Sequence, residues 1–198
     1  LRKRILFSMH MDAIVQHLMA YVIEQNTLRL EAVFDGERPV GSTRDMRTWY
    51  TTRVAEPTQR SQISHIVVDS GWEKYAANVA ETHPDVAAWA KNDHLGFHIL
   101  YLWNGTKRKY IPDFLVRFKS GKTLVLEIKG EDSPQDQAKR RAMDQWVQAV
   151  NAQGGLGHWA WDVVVGSMAG LQDVMGKHAS QAEMDDVRHP ENLTSETA

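Results

Sequence analysis

The stretch Ile111-Pro112-Asp113-Phe114-Leu115-Val116-Arg117-Phe118-Lys119-Ser120-Gly121-Lys122-Thr123-Leu124-Val125-Leu126-Glu127-Ile128-Lys129 decides how this chain folds. Two runs rich in β-branched, leucine and aromatic residues flank the turn triplet Lys119-Ser120-Gly121. That pattern predicts two strands, Lys109 to Phe118 and Thr123 to Lys129, joined by a tight turn. Side chains alternate faces along a strand, so Glu127 and Lys129 share one face and Leu124, Leu126 and Ile128 take the other. With a three-residue loop, Asp113 falls opposite Glu127, and side chains so paired lie about 5 Å apart at Cβ. A slip of one residue would break this alignment.

Working outward, Phe97 to Trp103 is apolar and aromatic and reads as a further strand. Asn104-Gly105 after it is a strong two-residue hairpin signal. Downstream, Pro134 opens a helix to about Ala152 with the apolar stripe Ala142, Met143, Trp146, Val147 and Val150, and Gly154-Gly155 ends it. His158 to Val165 is a fourth strand, with Trp159, Trp161 and Val163 on one side, and residues 167–178 form a last helix. Upstream, Ser70 followed by Glu73 is a capping pair that starts a helix over Trp72 to Thr82. Pro84 starts a second short helix through Ala90. Met46 to Val54 and Ile63 to Val68 read as extended segments. Met11, Ile14, Val15, Leu18, Met19, Val22 and Ile23 recur at the helical period over residues 8–30. The sum is an α/β chain with a central mixed sheet of four to five strands flanked by helices. Residues 1–45 read as an N-terminal helical extension or linker, 46–178 as the main domain, and 179–198 as a flexible polar tail. The chain starts at Leu1 and reads as a piece of a longer polypeptide.

Bulk properties narrow the function. With no cysteine, thiol nucleophiles, disulfides and cysteine zinc sites are excluded, and a cytoplasmic location fits. No apolar run reaches the length of a membrane span. A net charge of −2 argues against gripping nucleic acid by charge alone. The charge is uneven, however. Lys107, Arg108 and Lys109 form one basic cluster and Lys139-Arg140-Arg141 another, and Lys107, Arg108, Lys109 and Lys139 are the candidate phosphate contacts. Gly121-Lys122-Thr123 lacks the preceding glycine of a phosphate loop, since position 116 is Val116. His94 and His98 are separated by Gly96 and read as loop histidines, and Trp72, Trp89, Trp146 and Trp161 read as core.

Two carboxylates held close together repel each other. A hard divalent cation resolves that conflict, and Mg²⁺ is typically held by one or two carboxylates with water and substrate phosphate completing the shell. Such an ion acidifies bound water and offsets charge on a phosphoryl group. A lysine on the same strip can orient that water or neutralise a developing oxyanion.

Ile111-Pro112-Asp113, then Glu127-Ile128-Lys129-Gly130, resembles the PD-(D/E)xK nuclease motif. Val68-Asp69-Ser70-Gly71-Trp72-Glu73 resembles that superfamily's first-helix glutamate region. Val86 to Phe97, followed by Tyr110-Ile111-Pro112-Asp113-Phe114, is similar to the C-terminal endonuclease domain of type III restriction Res subunits and related helicase-nucleases. The likeness covers roughly residues 46–165. It implies a restriction-endonuclease-like core in which Glu73, Asp113, Glu127 and Lys129 are catalytic. Asp113, Glu127 and the backbone carbonyl of Ile128 would bind Mg²⁺, for which Mn²⁺ would substitute. Glu73 would add a metal-binding or supporting carboxylate, and Lys129 would position or activate the attacking water. The implied partners are double-stranded DNA, a helicase/ATPase portion of the same polypeptide, a modification subunit and, for double-strand cutting, a second copy. The competing expectation keeps the same fold as a catalytically silent module for DNA docking or subunit assembly. The near-neutral charge favours that alternative, and the intact acid-acid-lysine set opposes it.

Overall fold

The computed structural model describes residues 2–26, 36–37 and 42–180. The tail expected over residues 179–198 lies outside these from residue 181 onward.

The decisive hairpin forms with the expected register. Strands β6 (Phe114–Phe118) and β7 (Thr123–Lys129) pair antiparallel, with Phe114 opposite Leu126 and Val116 opposite Leu124. Helix α3 (Pro134–Gln153) then carries the chain across to strand β8 (Trp159–Val165), which lies parallel to β7. A parallel neighbour requires such a crossover, because no tight turn can reverse the chain twice. Gly154, at φ 68°, ends α3 in the backbone region that favours glycine.

The segment expected as a second short helix is instead strand β3 (Val86–Lys91), antiparallel to β6. The alanines of Val86-Ala87-Ala88-Trp89-Ala90-Lys91 favour helix on intrinsic grounds. Pairing with β6 wins because it buries Val86, Trp89 and Ala90 in one step and sets the Trp89 ring against Phe114, at 6.1 Å between ring centres. The indole Nε1 donates to Glu81 at 2.8 Å, so the buried ring keeps its polar atom satisfied. The central sheet therefore runs β3-β6-β7-β8 and is mixed.

The single strand expected from Lys109 to Phe118 is two strands in different sheets. Strand β4 (Ile99–Trp103) and strand β5 (Thr106–Tyr110) form a separate hairpin, turned through Asn104 and Gly105 at φ 49° and 70°. Two successive positive φ values are the backbone of the primed two-residue turn. The break falls at Ile111-Pro112-Asp113, where proline has no N–H to donate to a ladder. The Asn92 side-chain amide instead takes up the Pro112 carbonyl at 2.9 Å. Residues 46–54 carry no strand, and pairing starts at strand β1 (Ala55–Pro57) against strand β2 (His65–Val67). Helix α2 (Gly71–Thr82) starts at Ser70, whose hydroxyl accepts from the Glu73 amide. Helix α4 (Ala169–Ser180) closes the described chain.

The central sheet is covered on both faces. On one, Leu124 and Leu126 join Phe114, Val116, Ala76 and Val79 of α2, and Leu171 and Met175 of α4. On the other, Val125 meets Met143 of α3 and Tyr101 and Tyr110 of the β4–β5 hairpin, bordered by Trp146, Trp159 and Trp161. Strand β7 is thus buried on both sides, which explains its continuous apolar start Leu124-Val125-Leu126. Helix α1 (Arg2–Asn26) leaves Met9, Met11, Val15, Leu18, Met19 and Val22 open to solvent. No helix among the described residues is long and apolar enough to cross a membrane.

Leu124 has no exposed surface at the centre of this arrangement. Leu124→Ala is expected to lower the unfolding free energy by about 2–5 kcal/mol, read as a shift of the urea midpoint without a change of slope. An unchanged midpoint would mean that β7 is not the packed centre of the domain.

Candidate active site

The register that buries Leu126 beneath Phe114 brings Asp113 opposite Glu127 at the next position. Asp113 accepts the Ile128 backbone N–H at 2.8 Å through Oδ2, so the carboxylate replaces a ladder partner where β6 has not yet begun. Across the other edge, the Asn92 amide N–H donates to the Asp113 carbonyl at 2.7 Å. Asn92, Asp113 and Glu127 therefore stand in a row across three neighbouring strands.

Glu127 is buried, and its Oε2 accepts the Tyr110 hydroxyl at 3.0 Å. Its Oε1 lies 3.6 Å from the Lys129 ammonium, two residues along the same face. That ammonium donates to Asp136 at 2.6 Å, and Lys139 donates to the same oxygen at 2.9 Å. Lys139 also stands over the Tyr110 ring, 5.6 Å from its centre. Tyr110, Glu127, Lys129, Asp136 and Lys139 thus form a closed ring of contacts. Asp136 is fixed in turn by Ser133, which donates to it from its amide at 3.0 Å and from its hydroxyl. The recess beside this ring is lined by Tyr110, Glu127, Lys129, Asp136, Lys139 and Arg140.

Glu73 arrives from the first turn of α2. Its Oε2 accepts the Asp69 amide at 2.8 Å and pairs with the Lys91 ammonium at 2.9 Å. Its charge reaches Asp113, where it raises the proton affinity. All four residues singled out from the sequence therefore gather at one end of the central sheet. Lys107, Arg108 and Lys109 lie exposed along β5, the strand that ends at Tyr110. Lys139, expected as a phosphate contact, is engaged with Asp136 and the Tyr110 ring inside the site.

Burial and neighbouring charge set the titration of the pair. Burial, followed by the charge of Asp113, pushes the Glu127 carboxyl up to about 7, against the Tyr110 hydroxyl and the Lys129 ammonium, which pull it down. Burial likewise raises Asp113, opposed by the Ile128 amide and reinforced by Glu73. The Tyr110 phenol is pushed far up by burial and then by Glu127, so it stays a donor. Burial works against the Lys129 charge, but Asp136 and Glu127 outweigh it and hold the ammonium protonated above its ordinary range.

No known protein family, curated protein or solved structure matches this chain.

The donor set nevertheless suits a hard divalent ion. Asp113 and Glu127 offer only oxygen, and each is driven toward its neutral form, Glu127 by burial and the charge of Asp113, Asp113 by burial and the charge of Glu73. A cation between them would relieve that strain. Among the described residues no three histidine, aspartate or glutamate side chains form a ready-made cluster. An ion here would complete its shell with backbone, solvent or phosphate oxygens, which is the habit of Mg²⁺.

Three members of the site were not singled out from the sequence: Tyr110, Lys91 and Asp136. Asp136 had a signal, since Ser133 three residues before it is a helix-start pair. Tyr110 sits in the apolar-aromatic pattern like any core residue, and Lys91 fell just past the short helix expected through Ala90, where β3 runs instead.

Glu127 binds a proton more tightly folded than unfolded, so metal-free stability is highest below its ordinary pKa and falls as pH rises through about 7. Glu127→Gln removes that charge while its amide oxygen can still accept from Tyr110. The variant is expected to match wild type near pH 4 and to exceed it near pH 8 by on the order of 1–3 kcal/mol in EDTA. Urea unfolding at the two pH values reads this directly, and a variant less stable than wild type at pH 8 would refute it.

Proposed function

We propose that this chain carries a metal-dependent endonuclease domain that hydrolyses DNA phosphodiester bonds on a restriction-endonuclease-like core. The observation that carries the reading is the pair Asp113–Glu127, set side by side by the β6–β7 register with the Lys129 ammonium 3.6 Å from Glu127. The mixed sheet flanked by helices is compatible with that core. Asp113, Glu127 and the Ile128 carbonyl would hold Mg²⁺, with Glu73 beside them. Bound there, the ion would supply an acidified water and offset charge on the phosphoryl group.

The protein's own groups have distinct tasks. Asp113 and Glu127 present anionic oxygens on a rigid strip of sheet, and Tyr110 fixes the rotamer of Glu127 through its hydroxyl. Lys129 is held protonated, so it acts as a donor and a positive charge rather than as the base that removes a proton. It can orient the attacking water toward phosphorus and balance charge as the 3′ oxygen leaves. Lys107, Arg108 and Lys109, exposed on β5, would meet phosphates of double-stranded DNA on the way to this edge. Delivery by a helicase/ATPase portion, alongside a modification subunit or a second copy, completes the type III restriction-like reading.

A catalytically silent docking module is the competing assignment. It is favoured by the net charge of −2 and by the engagement of Lys129 with Asp136.

Supercoiled plasmid incubated with the chain and Mg²⁺ or Mn²⁺ separates the two. Metal-dependent nicking, abolished by EDTA and reduced ~10²-fold or more in Asp113→Ala and Lys129→Ala, is expected. No cleavage together with no Mn²⁺ binding by calorimetry would replace the nuclease with the docking module.

A further inference from the structure

Lys91 is a deeply buried charged group near the site and plays no part in the chemistry above. Its side chain is 6% exposed. An ammonium has three donors and no acceptor. Three oxygens meet them: Glu73 Oε2 at 2.9 Å, Asp93 Oδ2 at 2.8 Å and the Val67 carbonyl at 3.0 Å. Asp69 Oδ2 lies slightly further away, at 3.6 Å, and is itself paired with Arg53. One tripod thus ties β3 to α2, to β2 and to the loop after β3.

Stability alone does not call for this group. Lys91 pairs with Phe114 on the face where β3 otherwise buries Val86 and Trp89. Burying an ion pair there costs desolvation that an apolar side chain of similar volume would avoid. Its location is specific, however. The next residue, Asn92, donates its backbone N–H to the Asp113 carbonyl, so the tripod stands one residue from the paired carboxylates.

We propose that Lys91 is a positioning residue, a built-in cation that holds the Glu73 carboxylate within reach of Asp113 so that it can join a divalent ion bound at the Asp113–Glu127 pair. The inference rests on the nuclease reading, since it assigns Lys91 a task at the same cation site. Glu73 is the one carboxylate of the three that a helix carries, and besides the Asp69 amide its Oε2 is held by Lys91. Lys91 also offsets the repulsion that Glu73 exerts on Asp113. A planar guanidinium cannot reproduce a three-way tripod, so arginine is a poor substitute here.

The sign of one measurement separates positioning from background charge. Removing a positive charge near a cation site strengthens metal binding if charge is all that matters, and weakens it if Lys91 holds a ligand in place. Mn²⁺ binding to the full chain is measured by calorimetry for wild type, Lys91→Met, Glu73→Gln and the double variant, with folding checked by circular dichroism. The expected result is about tenfold weaker binding in Lys91→Met, and a double variant no weaker than Glu73→Gln. Tighter or unchanged binding in Lys91→Met, or an equal loss in the Glu73→Gln background, would overturn the inference while leaving the nuclease reading intact. Wild type that binds no Mn²⁺ would sink both. Should Lys91→Met not fold, Lys91→Gln, which keeps two donors, takes its place. If neither folds, Lys91 is a folding residue and the proposal fails.

Discussion

One hydrogen bond holds the candidate site together: the Ile128 amide donating to the Asp113 carboxylate. Strand β6 begins only at Phe114, and without a partner the Ile128 N–H would sit unpaired at a half-buried position. The Asp113 side chain supplies that partner, and in doing so it is pinned beside Glu127. A requirement of the backbone and a requirement of the chemistry are met by the same atom. The register beyond it follows, since Phe114, Val116 and Phe118 can be buried against α2 only when Asp113 falls at that level.

The arrangement is costly in the absence of a ligand. A buried carboxylate and a half-buried one within reach of each other are driven toward protonation, and a third from α2 adds to the repulsion on Asp113. The surroundings answer with donors and cations rather than with solvent: Tyr110, the Ile128 amide, Lys129 and Lys91. A chain selected only for stability would place apolar groups at these positions. Local penalties of this kind concentrated at one edge of a sheet single it out as the candidate site, while the surrounding core is conventionally packed.

Much of this was readable in the sequence, and the reasons are specific. The β6–β7 register was legible because Leu124, Leu126 and Ile128 alternate with Glu127 and Lys129 and because the turn between the strands is short. The Asn104-Gly105 turn was legible because few residues tolerate its backbone. Strand β3 was hidden by its alanines, whose local preference for helix is overridden only by a partner strand distant in the chain. The interruption at Pro112 was hidden because the apolar pattern runs on through it. Lys91 was invisible as a site member, and Asp136 was legible only as the capping partner of Ser133, for a related reason. Their roles depend on which oxygens surround them in three dimensions, and residue type carries no record of that.

The grip of Asp136 on Lys129 places one member of the site under the control of another element. Strand β7 carries the backbone of Lys129, but the first turn of α3 decides where its ammonium rests. Between them lie only Gly130-Glu131-Asp132-Ser133. This short linker is a tuning screw: lengthening or stiffening it would move the positive charge relative to the carboxylates without disturbing a single residue of the sheet. Charge placement and scaffold are thus separately adjustable here. The same core could hold that ammonium at different distances from the carboxylates by changes confined to four residues that bury nothing.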